Sequence, residues 1–247
     1  MSPSHTESVQ YTVPAHVYTC VTDTGVVVLD ARRGKYSIVP AAGARTLTRV
    51  VRGWPASPSQ ADSADALGNP RPSLLNALIR SGIVVPADSG AQYDERTIAS
   101  TAKEALLDSF ASHRRPEAFA RHVAAVCLST TYAHVMLKYR SFNTLLRHLR
   151  SRKSSQASSS VQPPIAQVQK LVAIFVWLRP FVYAEANACL FDSVALADFL
   201  YRHQIFPEIL IGVRTQPFAA HSWVQHHGFV LNSIPDDLTS YTPILSI

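Results

Sequence analysis

The sequence predicts an α+β protein with two domains, and two observations support this prediction. The first ninety residues contain three short strand-like runs followed by helical segments, whereas the remainder begins with helices and ends in strands. The polar stretch at 87–95, "ADSGAQYDE", is typical of a linker. We therefore expect a first domain over residues 1–90 and a second over residues 91–247, since 247 residues can bury two modest cores.

The first domain has the outline of a small winged-helix module. Its strand signals are "HVYTCV" at 16–21, "GVVVLD" at 25–30 and "KYSIVP" at 35–40, with turn residues between them. A helical segment at 72–82, "PSLLNALIRSG", begins with Pro72 and has Gly82 just past its end, which is the usual punctuation of a helix. Three strands followed by helices predict such a module.

The second domain is predicted to place its helices before an antiparallel sheet. Helical patterns occupy residues 96–111, 116–149, 162–179 and 188–202. Strand-like runs follow at 208–213, 220–225, 229–232 and 242–247. Because helices and strands are segregated along the chain, an α+β arrangement is favoured over a parallel α/β sheet.

Glycine and cysteine usage exclude several kinds of site. The chain has 9 glycines and no Gly-rich phosphate-binding motif, which argues against a nucleotide site of that type. The three cysteines, Cys20, Cys127 and Cys189, are far apart and form no C-x-x-C pair, which argues against a disulfide framework or a zinc site. We expect no metal and no cofactor.

Cysteine usage and charge also bear on location and partners. Free cysteines and the lack of a basic segment followed by an apolar core near residue 1 predict a cytoplasmic protein. The apolar run at 171–182 is too short to span a bilayer, so no stable membrane insertion is expected. The net charge of +6 is concentrated at 148–153, "HLRSRK", which we interpret as a solvated helix end. No nucleic acid partner is expected, because the segment at 72–82 carries one basic residue.

Cys189 is the candidate nucleophile. Asn187 is a favoured N-cap residue, which would place Cys189 in the first turn of the following helix, where the helix dipole favours a thiolate. The alternative is a buried structural cysteine. We assign that alternative to Cys127, which lies within the apolar run "AAVCLS".

His221 is the candidate base, on a strand that follows Cys189 in the chain. Strand periodicity puts His221, Trp223 and Gln225 on one face. A helix that begins with a nucleophile and is followed by a strand bearing histidine matches the papain-type pattern, in which a third group orients the imidazole. The alternative is a histidine that serves only the core or the sheet edge. His226 and His227 are predicted to be solvated at a loop tip.

Three residues are candidates for the orienting group. A three-residue loop at 226–228 would set Ser233 opposite His221, whereas a two-residue or four-residue loop would bring Asn232 to the His221 face instead. Asp236 could reach the imidazole if the chain turns back at Pro235.

Four segments resemble a known family. "CLFDSVALADFL", "ILIGVRTQPFAAHSWVQ" and "GFVLNSIPDDL" resemble the lasso-peptide B proteins, which are transglutaminase-like cysteine proteases that remove the leader from a lasso-peptide precursor. "VVVLDARRGKYSIVPAAG" resembles the PqqD-like winged helix that recognises the leader in the single-chain members. The resemblance covers about 16–90 and 165–247, and the middle of the chain matches less clearly.

The resemblance implies a role for each member of the site. Cys189 corresponds to the nucleophile and His221 to the general base, while Ser233 stands where the family has an aspartate after an asparagine. We therefore expect reduced rather than absent activity. The implied partners are the leader of a lasso precursor and an asparagine-synthetase-like cyclase that uses ATP.

A peptide groove is expected between the third strand and the helix at 72–82, because a winged helix can add an extended peptide to its exposed strand. Its predicted lining is Tyr36 and Ile38, or alternatively Lys35 and Ser37, together with Leu75 and Ile79. Two other functions stay open: a catalytically impaired leader-binding chaperone for the cyclase, and a transglutaminase-type acyltransferase.

Overall fold

The computed structural model describes residues 11–55, 72–87, 104–105, 120–156, 163–183 and 189–247. The chain divides into two compact units. The first consists of Met1–Thr97 with Thr215–Pro217, and the second of Ile98–Arg214 with Phe218–Ile247. The predicted linker at 87–95 lies almost wholly outside the described residues.

The first unit contains a three-stranded antiparallel sheet in which β3 is central. The strands of this unit are β1 (Tyr11–Thr12), β2 (Val17–Thr22), β3 (Gly25–Asp30), β4 (Lys35–Pro40), β5 (Val51–Arg52) and β6 (Val85–Pro86). The three strands predicted at 16–21, 25–30 and 35–40 are confirmed to within one residue as β2, β3 and β4. Gly25 is required where β3 begins, because a Cβ there would lie 2.2 Å from the Val39 carbonyl oxygen.

Two helices cover one face of this sheet. They are α1 (Ala41–Leu47) and α2 (Pro72–Ser81), and α2 begins at Pro72 and ends before Gly82, as predicted. Val26 and Val28 of β3 and Val39 of β4 share a core cluster with Leu78 of α2. Strands β5, β1 and β6 form a second small sheet. The likeness to a PqqD-like winged helix stays a prediction.

The second unit places four long helices beside its sheet. They are α3 (Ala120–Tyr139), α4 (Phe142–Gln156), α5 (Ile165–Val182) and α6 (Cys189–Arg202). The single helix predicted over 116–149 is wrong, because the chain breaks at Arg140 and Ser141. The Ser141 hydroxyl then accepts a hydrogen bond from the Thr144 amide at 3.3 Å and caps α4.

The sheet of the second unit has the order β11-β8-β9-β10-β7. Its elements are β7 (Glu104–Ala105), β8 (Glu208–Thr215), β9 (Phe218–His226), β10 (Phe229–Val230) and β11 (Thr242–Ser246), with the short α7 (Pro235–Leu238) before the last strand. Strand β7 falls within the helix predicted at 96–111, which is wrong at those two residues and otherwise lies outside the described residues. Strand β10 is shorter than predicted and ends at Val230.

Helix α6 occupies the centre of the second unit. Nine consecutive residues, Ser193–Tyr201, are buried, and the helix packs against α3 on one side and β9 on the other. Its N-terminus is therefore held at a fixed position beside β9.

Helix α5 is strongly apolar in composition. Of the helices in the described part of the chain, α5 alone has the length and composition that could cross a membrane. It is longer than the apolar run at 171–182, and six of its apolar side chains are buried in the protein: Val168, Leu171, Val172, Ile174, Phe175 and Leu178.

Candidate active site

Cys189 is the first residue of α6, and its side chain is partly buried. The pKa of its thiol is lowered from 9.0 to about 7, chiefly by a hydrogen bond with His221. Burial acts in the opposite direction, and the neighbouring Ser222 lowers the pKa further. Much of the thiol is therefore ionised at neutral pH, which is the form that attacks carbonyl carbon. The predicted cap Asn187 lies outside the described residues.

His221 is held between Cys189 and Ser233. Its Nε2 atom lies 3.1 Å from the Ser233 hydroxyl oxygen, and its imidazole lowers the pKa of the Cys189 thiol. The imidazole stacks on Trp223, with ring centroids 6.3 Å apart and an interplanar angle of 15°, and Tyr241 lies 5.6 Å away. Since Trp223 is fully buried, the ring of His221 rests on a fixed surface.

The β9–β10 hairpin decides which residue meets His221. Its loop has two residues, His227 and Gly228, whose φ values are 48° and 85°, as in a type I′ turn. We expected this loop length to bring Asn232 to His221, and that inference is wrong. The ladder stops after Leu231, whose amide donates to the Val224 carbonyl at 2.8 Å, and the chain then bends so that Ser233 reaches the imidazole.

Asn232 completes the ladder with its side chain. Its Oδ1 atom accepts a hydrogen bond from the Val224 amide at 2.8 Å, so the side chain replaces a strand carbonyl as the acceptor. Its Nδ2 atom donates to Asp192 on α6 at 2.9 Å. The side chain of Asn232 thus connects β9 to α6 and does not orient the imidazole.

Asp236 lies in the first turn of α7 and is exposed. Its carbonyl accepts hydrogen bonds from the Thr239 hydroxyl at 2.8 Å and from the Thr239 amide at 3.3 Å. It shares with His221 and Ser233 the lining of a cavity of about 670 Å³. The other lining residues are Arg214, Asn232, Ile234, Asp237, Ser240 and Tyr241.

Sequence reasoning missed Asp192 and Ser222. Asp192 lies one helical turn after Cys189 and accepts the hydrogen bond from Asn232. Ser222 contributes to the lowered pKa of Cys189. An acidic residue three positions after a candidate nucleophile is visible in "CLFD", but the partner forty residues away is not.

Two other sequence-based expectations are corrected. Cys127 was expected to be buried, but it is exposed on α3, because that helix buries one face only. His226 was expected to be solvated, but it is buried at the end of β9, and burial lowers its pKa to about 4. His227 is exposed as predicted. Within the described ranges, no group of three or more histidine, cysteine, aspartate or glutamate residues could hold a metal ion.

The candidate groove residues of the first unit lie on both faces of β4. Strand alternation puts Lys35 and Ser37 on the face of Val39, which belongs to the same core cluster as Leu78. Leu75 packs against that cluster. Tyr36 and Ile38 point to the opposite face, where Ile38 is 42% exposed.

Of the predicted lining, Lys35 and Ser37 therefore share the α2 side of the sheet. Ile79, on α2, is partly buried. The binding role of both sets stays a prediction.

Comparison with protein families matches residues 127–246 to the transglutaminase-like superfamily, so this part of the chain is a transglutaminase-like domain. The matched residues include Cys189, His221 and Ser233. Among curated proteins, the microcin J25-processing protein McjB of Escherichia coli is 48% identical over 48 residues. That match spans 19% of this chain and 23% of McjB. The two matches support the assignment of the chain to the lasso-peptide B proteins. No solved structure matches the chain.

Proposed function

We propose that this protein is a lasso-peptide maturation protease that binds the leader of a precursor and cleaves it from the core peptide. The observation that carries the proposal is the Cys189 thiol, whose pKa the imidazole of His221 lowers to about 7, together with the 3.1 Å contact between His221 Nε2 and the Ser233 hydroxyl. A thiol with a pKa of about 7 beside an imidazole is suited to acyl transfer. The partial identity to McjB, a microcin J25-processing protein, supports the choice of substrate.

The proposed reaction has two steps. The Cys189 thiolate attacks the scissile carbonyl carbon, His221 gives its proton to the leaving amine of the core peptide, and a thioester with the leader forms. Water then attacks the thioester, His221 takes the proton of that water, and the thiolate leaves. The backbone amide of Cys189, in the first turn of α6, is a candidate donor to the oxyanion.

The first unit is proposed to hold the leader. Strand β4 pairs with β3 along one edge, and among the described strands none pairs with its other edge. An extended leader could add there as a further strand, with alternate side chains entering the α2 side and the opposite side. The proposed setting is the cytoplasm, and the proposed partner is an asparagine-synthetase-like cyclase that closes the ring of the released core.

Cleavage by the purified protein tests the proposal directly. The precursor is incubated with this protein, alone and with the cyclase, and the products are weighed by mass spectrometry. We expect free leader with the wild-type protein and none with Cys189→Ala. Cys127→Ala is the matched control, because it removes an exposed thiol on α3 that has no role in the proposed reaction. Unchanged cleavage by Cys189→Ala would exclude the proposed nucleophile.

The chaperone is the second candidate, and the serine at position 233 favours it. A neutral hydroxyl cannot stabilise an imidazolium by charge as a carboxylate does. In that case the leader binds, its binding aids the cyclase, and neither the wild-type protein nor Cys189→Ala yields free leader. An acyltransferase would give instead a crosslinked product that has lost ammonia.

Leader binding is tested on both faces of β4. A fluorescent leader peptide is titrated with Ile38→Asp and with Ser37→Asp, since both positions are exposed and lie on opposite faces. We expect at least one variant to bind about tenfold more weakly, because burying a new carboxylate costs about 1.4 kcal/mol or more. Equal affinity of both variants and the wild-type protein would remove β4 from the binding surface.

A further inference from the structure

Asp192 lies at a junction of three elements near the nucleophile. Its side chain is 14% exposed, and its Oδ1 atom accepts hydrogen bonds from Arg179 Nη1 at 3.1 Å and from the Tyr183 hydroxyl. Its Oδ2 atom accepts from Asn232 Nδ2 at 2.9 Å. Arg179 and Tyr183 come from the end of α5, Asp192 from the first turn of α6, and Asn232 from the segment after β10.

The side-chain oxygen of Asn232 is also held by a hydrogen bond. Its Oδ1 atom accepts from the Val224 amide at 2.8 Å, three residues along β9 from His221. Its Nδ2 atom also lies 3.3 Å from the Ser193 hydroxyl. The side-chain amide of Asn232 therefore links α6, through its Nδ2 atom, to β9, through its Oδ1 atom. These hydrogen bonds restrict the backbone at residue 232.

The residue after Asn232 is Ser233, the partner of His221. A hydroxyl is a neutral, rotatable partner, and a single hydrogen bond between neutral groups contributes little to stability. The position of Ser233 must therefore come from its backbone. The Asp192–Asn232 hydrogen bond can supply it, since a bond to a carboxylate is shorter and stronger than one between neutral groups.

We propose that Asp192 is a positioning residue that acts through Asn232 to hold Ser233 against His221, and so keeps the imidazole on the Cys189 thiol. This series of contacts begins and ends on α6, because Asp192 and Cys189 lie one turn apart on that helix. This inference rests on the proposed function of the thiol–imidazole pair. Burial and Asp192 raise the pKa of Tyr183, so its phenol stays protonated and donates to the carboxylate.

The test measures the thiol itself and needs no precursor. In a Cys127→Ala background, the rate at which iodoacetamide alkylates Cys189 is followed by peptide mass spectrometry between pH 5 and pH 10. Asp192→Asn is expected to raise the pKa of Cys189, so that alkylation at pH 7 is about fivefold slower while the rates converge above about pH 9. Asn232→Ala, which cuts the connection at its other end and keeps the Asp192–Arg179 ion pair, is expected to shift the profile in the same direction.

Two controls separate positioning from stability. Arg179→Gln removes an ion pair of Asp192 but keeps Asn232 in place, and its pH profile is expected to stay within twofold of the wild-type profile. Glu208→Gln, which breaks a 3.3 Å ion pair with Lys153 in the same unit, is expected to leave the profile unchanged.

The inference is overturned if Asp192→Asn and Asn232→Ala lower only the urea midpoint and leave the alkylation profile of Cys189 unchanged. Failure of the proposed function looks different. There the profile shifts as expected in both variants, and the wild-type protein releases no leader from the precursor.

Discussion

Ser233→Asp is expected to make the protein a faster acyl-transfer catalyst. The Ser233 hydroxyl lies 3.1 Å from Nε2 of His221, and the side chain borders the cavity of about 670 Å³, so a carboxylate has room at the same position. A hydrogen bond to a charged group contributes about 1.5–3 kcal/mol, compared with about 0.5–1.5 kcal/mol for a neutral one. The imidazolium is thus stabilised by about 1–1.5 kcal/mol.

That free energy corresponds to roughly a five- to tenfold change in rate or in an ionisation equilibrium. A carboxylate favours the thiolate–imidazolium pair, so the pKa of Cys189 should fall below about 7 and alkylation at pH 6 should become about fivefold faster. Leader release at pH 7 should rise by up to tenfold. Ser233→Ala should move both quantities the other way, since it removes the hydrogen bond.

Both quantities are measurable with the alkylation and cleavage assays described above. The alkylation assay needs Cys127→Ala as the background, because that exposed thiol would also react with iodoacetamide. If Ser233→Asp and Ser233→Ala have the same alkylation profile as the wild-type protein, residue 233 does not orient the imidazole and the reasoning is refuted.

Three further predictions follow from the same geometry. In the wild-type protein, alkylation of Cys189 should be half-maximal near pH 7, and a midpoint above pH 8 in a kinetic pH series would contradict the hydrogen bond with His221. Gly212→Ala should cost about 1–3 kcal/mol in urea unfolding and slow alkylation, because its Cβ would lie 2.9 Å from the Trp223 ring on which His221 stacks. Gly43→Ala, whose Cβ meets a side chain of the first unit at 2.7 Å, is the control that should leave alkylation unchanged. His226→Gln should make the free energy of unfolding less sensitive to acidification. The folded pKa of about 4 lies below the unfolded value of 6.5, so the wild-type protein loses up to about 1.4 kcal/mol of stability per pH unit as pH falls between them. If His226 were solvated, urea unfolding at pH 7 and pH 5 would show the same loss of free energy in the variant and in the wild-type protein.

Much of the fold follows from local pattern. The strands β2 and β3 could be placed because both are runs rich in β-branched residues with a turn between them, and α2 because Pro72 and Gly82 mark its ends. Cys189 could be placed at the start of α6 for the same reason. Such features depend on a few neighbouring residues, which a sequence displays directly.

The predictions that were wrong concern features that depend on contacts between residues far apart in the sequence. The partner of His221 is set by where β10 stops, and that is decided by Asn232, whose side chain replaces a carbonyl in the ladder and reaches α6. The exposure of Cys127 depends on which face of α3 meets α5 and α6, which the apolar run "AAVCLS" does not reveal. Neither fact can be read from periodicity alone.

The side-chain substitution in the β9–β10 ladder has a consequence for what this scaffold tolerates. Beyond Leu231 the chain is no longer part of the strand, so the side chains there do not alternate between the two faces of the sheet. The direction of the side chain at position 233 is therefore not set by the pairing of β9 with β10. A serine, an aspartate or another short polar group can therefore be exchanged there without reordering the strands. The chemistry beside the imidazole can vary while the sheet keeps its hydrogen bonds.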